Sequence, residues 1–250
     1  MDVYIERNGS GEPILFVHGA GGSSEYWYYQ REYLKKHMEV LTIDLPGHGR
    51  SVGDGCKSIE EFREAVRETL KKLGVGKCYM AGHSMGGAIA MSFALTYPDL
   101  LKGIVLICTG ARLRALPAIL DGVMKDKEAT IRMIIDYAFS HKTPKELKEK
   151  GFRDMMRSKA ETIYDDFTAC NRFDAMGPLK AIQVPSLIIC GKDDLLTPPK
   201  YSEYLHGMIS NSRLILIENA GHMVMLEKPE EVNNTILPFV AEIEKAHGAP

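Results

Sequence analysis

A single serine stands where the sequence pattern changes from strand-like to helical. Ser84 lies in GHSMG, at residues 82–86, after the apolar run KCYMAG and before the small-residue run MGGAIAMSFA. A serine at such a break is either a helix cap or a nucleophile. The G-x-S-x-G pattern between a strand and a helix favours the nucleophile, because it is typical of a sharp turn that presents the hydroxyl above a sheet. The flanking Gly82 and Gly86 leave room for crowded backbones in that turn.

Two later segments supply the groups that a serine nucleophile needs, namely a base and an acid that orients it. CGKDDLLTPP places Asp193 and Asp194 after an apolar strand, and ENAGHMVMLEKP places His222 in a loop after the last strand. The chain order of serine, acid and histidine is the one that accompanies this turn. Because the carboxyl ends of parallel strands meet at one sheet edge, we expect Ser84, one of the two aspartates and His222 to converge there.

The elements that must position these residues alternate between short apolar runs and longer helical patterns, which predicts a mostly parallel central sheet flanked by helices. The predicted strands are residues 14–19, 39–47, 77–82, 102–108, 184–191 and 213–219, and an antiparallel edge precedes them near DVYIE. The predicted helices are residues 25–37, 58–73, 84–96, 200–208 and 229–246.

The alternation breaks between about residues 112 and 176, where the composition is rich in Met, Lys, Asp and Glu and shows helical periodicity without a strand signal. A segment of this length is too long for a structureless loop. We therefore predict that residues 1–111 and 177–250 form the core and that residues 112–176 form a helical cap over one end of the sheet.

Composition excludes several classes of function. The 31 basic and 33 acidic residues give a net charge of −2, so no bias towards nucleic acid or an anionic membrane is expected. No apolar run approaches the ~20 residues of a membrane span. Five widely spaced cysteines favour reduced, buried thiols in the cytoplasm over disulfides or zinc ligation. The glycine-rich segments do not complete a dinucleotide fingerprint, so neither a cofactor nor a metal is expected.

Taken together, these motifs resemble the α/β-hydrolase fold enzymes, in the serine carboxylesterase and lipase-like branch, over nearly the whole chain. In that family the acid commonly stands in a G-x-x-D pattern, which from Gly191 implies Asp194, with Asp193 as the second choice. Of the two oxyanion donors, the backbone N–H of Met85 comes from the serine turn. The second, after His-Gly in VHGAGGSS, maps onto Ala20, although that loop is also typical of a flexible turn.

A serine nucleophile indicates acyl transfer to water. We therefore predict cleavage of small carboxylic esters with short to medium acyl chains, through an acyl-enzyme. Apolar candidates for substrate binding are Trp27, Met155, Met156 and Met223. Two alternatives stay open: a carbon–carbon bond hydrolase of vinylogous diketones, and a ligand sensor that keeps the hydrolase residues. The first usually has a Trp shortly after the histidine, where this chain has HMVMLEK.

Overall fold

The protein, described here by a computed structural model over residues 3–248, is built on one seven-stranded sheet. The strands are β1 (Ile5–Asn8), β2 (Pro13–Val17), β3 (Glu39–Ile43), β4 (Cys78–His83), β5 (Leu101–Ile107), β6 (Ser186–Gly191) and β7 (Ser212–Ile217). Their spatial order is β1-β3-β2-β4-β5-β6-β7. Of these seven described strands, only β1 pairs antiparallel to its neighbour. The predicted mostly parallel sheet is confirmed. Residues 1–2 and 249–250, at the ends of the predicted core, lie outside the described residues.

Ten α-helices accompany the sheet in the described part of the chain. They are α1 (Tyr28–Leu34), α2 (Ile59–Lys72), α3 (Met85–Thr96), α4 (Pro117–Lys125), α5 (Lys127–Ala138), α6 (Lys145–Met156), α7 (Ala160–Arg172), α8 (Pro199–Met208), α9 (Val224–Glu227) and α10 (Pro229–Gly248). The helix predicted over residues 25–37 is instead a 3-10 turn, Ser24–Trp27, followed by α1. Among the described residues, none of the helices has the length and apolar character that crossing a bilayer requires.

The alternation of side chains along each strand divides the apolar core into two layers. In β2, Ile14 and Phe16 pack in the layer that contains α1 and α10, whereas Leu15 and Val17 pack in the layer that contains α2 and α3. All four side chains are buried. Helices therefore cover both faces of the sheet with apolar side chains. The ends of the strands are the places where a polar site can form.

Helices α4 to α7 fill the stretch between β5 and β6 that the sequence predicts to be strand-free and helical. An isolated antiparallel bridge between Arg112 and Asp174 closes the base of this stretch, and an ion pair joins the same two side chains. We call residues 112–176 the cap. Its treatment as a separate lid domain stays a prediction.

Candidate active site

Ser84 occupies a strained turn between β4 and α3, with φ 53° and ψ −114°. The turn is tight because its glycines lie against other backbone segments. A Cβ on Gly82 would lie 2.1 Å from the carbonyl oxygen of Gly86, and a Cβ on Gly86 would lie 2.2 Å from that of Val17. The Ser84 N–H donates to the Ile107 carbonyl of β5 at 2.9 Å. The backbone thus fixes the serine at the carboxyl edge of the sheet.

This strain predicts an unusual order of stability among Ser84 variants. A non-glycine residue with positive φ lowers the stability of the folded protein by about 1–3 kcal/mol. Glycine removes that strain, but its greater freedom in the unfolded chain lowers the stability by about 0.4–1 kcal/mol. We expect Ser84→Gly to exceed Ser84→Ala by about 1 kcal/mol in the free energy of unfolding, measured by urea denaturation. A Ser84→Gly protein less stable than Ser84→Ala would show that the turn is not strained.

Asp194 and His222 are joined by a direct hydrogen bond. His222 Nδ1 donates to Asp194 Oδ2 at 2.9 Å, which leaves Nε2 free to accept a proton. Asp194 Oδ1 accepts from the N–H groups of Leu196 and Thr197, each at 2.9 Å, and the Thr197 hydroxyl donates to Oδ2 at 2.8 Å. Burial alone would raise the pKa of Asp194, but the His222 ring and the Thr197 donors outweigh it and hold that pKa below its usual value.

The neighbouring carboxylate, Asp193, points to the cap instead. Its Oδ2 accepts from the Ser140 hydroxyl at 2.5 Å and lies 3.9 Å from the exposed ring of His141. The side chain is 30% exposed, whereas that of Asp194 is fully buried. The geometry therefore pairs His222 with Asp194, the residue that the G-x-x-D spacing favours.

His83 precedes the serine and is hydrogen-bonded to the loop that carries His222. Its Nε2–H donates to the His222 carbonyl at 2.9 Å, and the two ring centroids lie 4.7 Å apart. Burial, reinforced by the facing His222 ring, lowers the pKa of His83 well below its ordinary value. A neutral His83 therefore holds His222 in place without competing with it for a proton.

The loop after β2 passes beside the serine turn. A Cβ on Gly19 would lie 2.9 Å from His83 Nδ1 and 3.1 Å from the Cβ of Ser84. His18 fixes the start of this loop, since its Nδ1–H donates to the Gly19 carbonyl at 2.8 Å. Burial, aided by the charge of His48, lowers the pKa of His18 to about 3, so this ring is neutral.

A cavity of about 400 Å³ opens onto Ser84, His222 and Ala20. Apolar side chains from the cap and from the loop after His222 form much of its wall: Leu113, Ile119, Ile134, Ile135, Met155, Phe167 and Met223. Of the four predicted substrate-binding residues, Met155 and Met223 therefore line the cavity.

The other two predicted residues, Trp27 and Met156, lie outside the described cavity wall. Trp27 is fully buried, with its ring centroid 4.9 Å from that of Phe16 and 6.5 Å from that of His83. Met156 packs on the apolar core beside Met155 but is not part of the cavity wall. Helical periodicity explains the difference between Met155 and Met156, because consecutive residues on α6 face different directions.

Cys108, Asp194 and His222 place one donor atom each within 4.8 Å of one another, a donor set that a metal could use. Burial raises the pKa of the Cys108 thiol well above its ordinary value, which disfavours the thiolate that metals bind. The Asp194 oxygens already accept bonds from His222 and from the loop that includes Thr197. We therefore interpret the cluster as a hydrogen-bonded network.

Sequence reasoning missed two polar residues near the serine. Thr197 bonds Asp194 from three positions along the chain, a local pattern that favours such contacts and could have pointed to it. Asp166, on α7, accepts from the Gly21 N–H in the loop after β2 at 2.8 Å. No feature of the acidic cap sequence distinguishes Asp166 from its neighbours.

Comparison with known proteins identifies the family of this fold and site. A family model for the alpha/beta hydrolase fold matches residues 12–229. The (E)-2-((N-methylformamido)methylene)succinate hydrolase of Acinetobacter baylyi is 30% identical over 93% of this chain and 91% of its own. A putative carbamate hydrolase RutD of Azorhizobium caulinodans is 28% identical over 98% and 97% of the two chains.

Solved structures agree with this assignment. A structure described as that of a thermophilic esterase is 35% identical, covers 97% of this chain and 96% of its own, and superposes with a TM-score of 0.87. These relatives support hydrolase chemistry. With the family model spanning strands β2 to β7 and the loops that carry Ser84, Asp194 and His222, the chain belongs to the alpha/beta hydrolase fold family.

Proposed function

We propose that the protein is a serine hydrolase that cleaves carboxylic esters with short to medium acyl chains. The observation that carries the proposal is the buried Asp194–His222 hydrogen bond of 2.9 Å, because His222 and Ser84 line the same cavity. Since Nδ1 of His222 is committed to Asp194, Nε2 is the ring nitrogen that can act as a base. The whole-length similarity to a thermophilic esterase supports the same reaction class.

In the proposed reaction, Ser84 Oγ attacks the acyl carbon while His222 Nε2 takes the hydroxyl proton. The carbonyl π electrons move to oxygen, and the backbone N–H groups of Met85 and Ala20 stabilise the resulting oxyanion. His222 then returns the proton to the leaving alkoxide, which departs as an alcohol. Water, deprotonated by His222, attacks the acyl-enzyme, and His222 then gives that proton to the departing Ser84 Oγ as the acid is released. Asp194 stabilises the imidazolium in each step.

The cavity predicts a limited preference for acyl-chain length. Apolar transfer is worth roughly 0.8 kcal/mol per methylene, so kcat/KM should rise over the first carbons and fall once the chain exceeds the cavity of about 400 Å³. We expect Met155→Ala to move the optimum of p-nitrophenyl esters, from acetate to palmitate, to a longer chain while acetate hydrolysis survives.

The matched control for this experiment is Met156→Ala on the same helix, because Met156 is not part of the cavity wall. It should leave the position of the optimum unchanged. If both variants shifted the profile equally, or if Met155→Ala abolished acetate hydrolysis in a folded protein, the cap would not act as an acyl-length filter.

Two relatives favour a second candidate, cleavage of an acyl–nitrogen bond, since their names specify an N-methylformamido compound and a carbamate. Attack by Ser84 could cleave either an acyl–oxygen or an acyl–nitrogen bond. The deciding experiment compares an ester and an amide of the same acyl group with a carbamate of the same alcohol, beside a vinylogous diketone. The proposal expects the ester to have the highest kcat/KM, and faster cleavage of any other member would replace it.

A further inference from the structure

The cap carries a buried carboxylate that reaches into the loop holding the proposed oxyanion donor. Asp166, on α7, has no solvent exposure. Its Oδ2 atom accepts two hydrogen bonds, one from the Gly21 N–H at 2.8 Å and one from His48 Nε2 at 2.8 Å. Gly21 directly follows Ala20 in the chain. Asp166 thus joins the cap, the loop after β2 and the loop after β3 at one oxygen atom.

The hydrogen bonds indicate that His48 is protonated on both nitrogens. Nδ1 of its ring faces the Pro46 carbonyl at 3.0 Å, and Nε2 faces Asp166. Both partners are acceptors, so a neutral ring would leave one nitrogen without a proton to donate. Burial alone would lower the pKa of His48, but the Asp166 charge and hydrogen bond outweigh it and raise that pKa. The contact is therefore an imidazolium–carboxylate pair.

The cap makes a second hydrogen bond to Gly21, this time at its carbonyl group. The Ser158 hydroxyl donates to the Gly21 carbonyl at 3.0 Å. Gly21 has φ 63°, and a Cβ placed on it would lie 2.7 Å from Met155 Cε. The Gly21 N–H belongs to the peptide plane that links it to Ala20, so fixing this N–H and this carbonyl limits how Ala20 can rotate.

We propose that Asp166, paired with His48, is a positioning residue that sets the Ala20 N–H in the geometry required by the oxyanion. This inference rests on the proposed serine hydrolase function, because only an oxyanion gives the Ala20 N–H a catalytic partner. The pair makes the oxyanion loop depend on the cap, so cap and loop act as one unit in the transition state. Asp166 does not touch the substrate and is not itself a catalytic residue.

Asp166→Asn tests the idea because an amide cannot reproduce both bonds at Oδ2. An amide oxygen there accepts from Gly21 but faces a His48 ring that has lost its counter-charge. An amide NH₂ there satisfies a neutral His48 but opposes the Gly21 N–H. Misplacing one group by about 1 Å can cost 10²-fold in rate. We expect kcat to fall by about 10- to 100-fold, with KM changed less than about threefold.

The experiment measures kcat per active site, titrated with a fluorophosphonate, and the inhibition constant of a trifluoromethyl ketone analogue of the best ester. A purely structural defect would lower the titrated fraction of sites, whereas mispositioning lowers kcat per site. We expect the inhibition constant to rise by about the same factor as kcat/KM falls, because both depend on the oxyanion. Asp165→Asn, on the same helix and without a bond to Gly21, is the matched control and should change neither value.

Two further variants keep the proposal open to contradiction. His48→Gln with Asp166→Asn restores a neutral donor–acceptor pair and should recover part of the rate lost in Asp166→Asn. If Asp166→Asn does not fold, Ser158→Ala decides, since it removes the other bond to Gly21 and should lower kcat without a matching rise in KM. Unchanged kcat per site in whichever variant folds would overturn the inference. Failure of the fluorophosphonate to label wild-type Ser84 would instead overturn the proposed function.

Discussion

Ser84→Ala is expected to lower kcat for the preferred ester by about six orders of magnitude, because it removes the proposed acyl carrier, without which the remaining groups cannot act. Ser84 alone combines the turn at φ 53° with a place in the cavity beside His222. The measurement is a steady-state assay together with fluorophosphonate labelling and peptide mass mapping. The adduct should map to Ser84 in the wild type and be absent from the variant.

Ser92→Ala is the matched control for this change. Ser92 lies on the same helix, α3, and is buried, but its hydroxyl accepts from Arg63 of α2 and it is not part of the cavity wall. Its replacement should leave kcat within about twofold, as expected of a site outside the catalytic unit. Labelling at a serine other than Ser84, or substantial turnover by Ser84→Ala, would contradict the assigned nucleophile.

Much of this site could be predicted from sequence because its parts are tied to strand ends. Ser84, Asp194 and His222 each follow an apolar run, and parallel strands bring the residues after such runs to the same edge. The choice between Asp193 and Asp194 was harder, since both follow β6. The G-x-x-D spacing favoured Asp194, and the structure gives the physical reason: the Asp194 side chain turns inward to the N–H of Thr197.

Contacts that depend on packing between distant segments left no pattern in the sequence. Asp166 and Gly21 are 145 positions apart, and Asp166 and His48 are 118 apart. Hydrophobicity likewise could not separate a side chain in the cavity wall from one in the core. Trp27 and Met155 are equally apolar candidates, but Trp27 packs against Phe16 in the core whereas Met155 lies against Gly21 and lines the cavity.

The two aspartates after β6 differ in their hydrogen bonds, and that difference predicts opposite outcomes for the same substitution. In Asp194→Asn, the amide oxygen would keep the N–H bonds of Leu196 and Thr197, which turns the NH₂ group towards His222 Nδ1. His222 Nδ1 must then accept a hydrogen bond from this NH₂ group, so the ring proton moves to Nε2. His222 can no longer accept the Ser84 proton, and we expect kcat to fall by about 10⁴-fold with little change in fold.

Asp193→Asn is the control for this last prediction, since Asp193 accepts from Ser140 rather than from His222. It should retain kcat within about threefold, a change no larger than the loss of one surface-near hydrogen bond. Both variants are to be compared by kcat per titrated site with a p-nitrophenyl ester. A loss in Asp193→Asn beside normal turnover in Asp194→Asn would mean that Asp193 orients the base during catalysis. The His222–Asp194 bond would then exist only in the free enzyme. The acid required for catalysis is the one whose charge stabilises the protonated His222 ring in the transition state, and that acid would be Asp193.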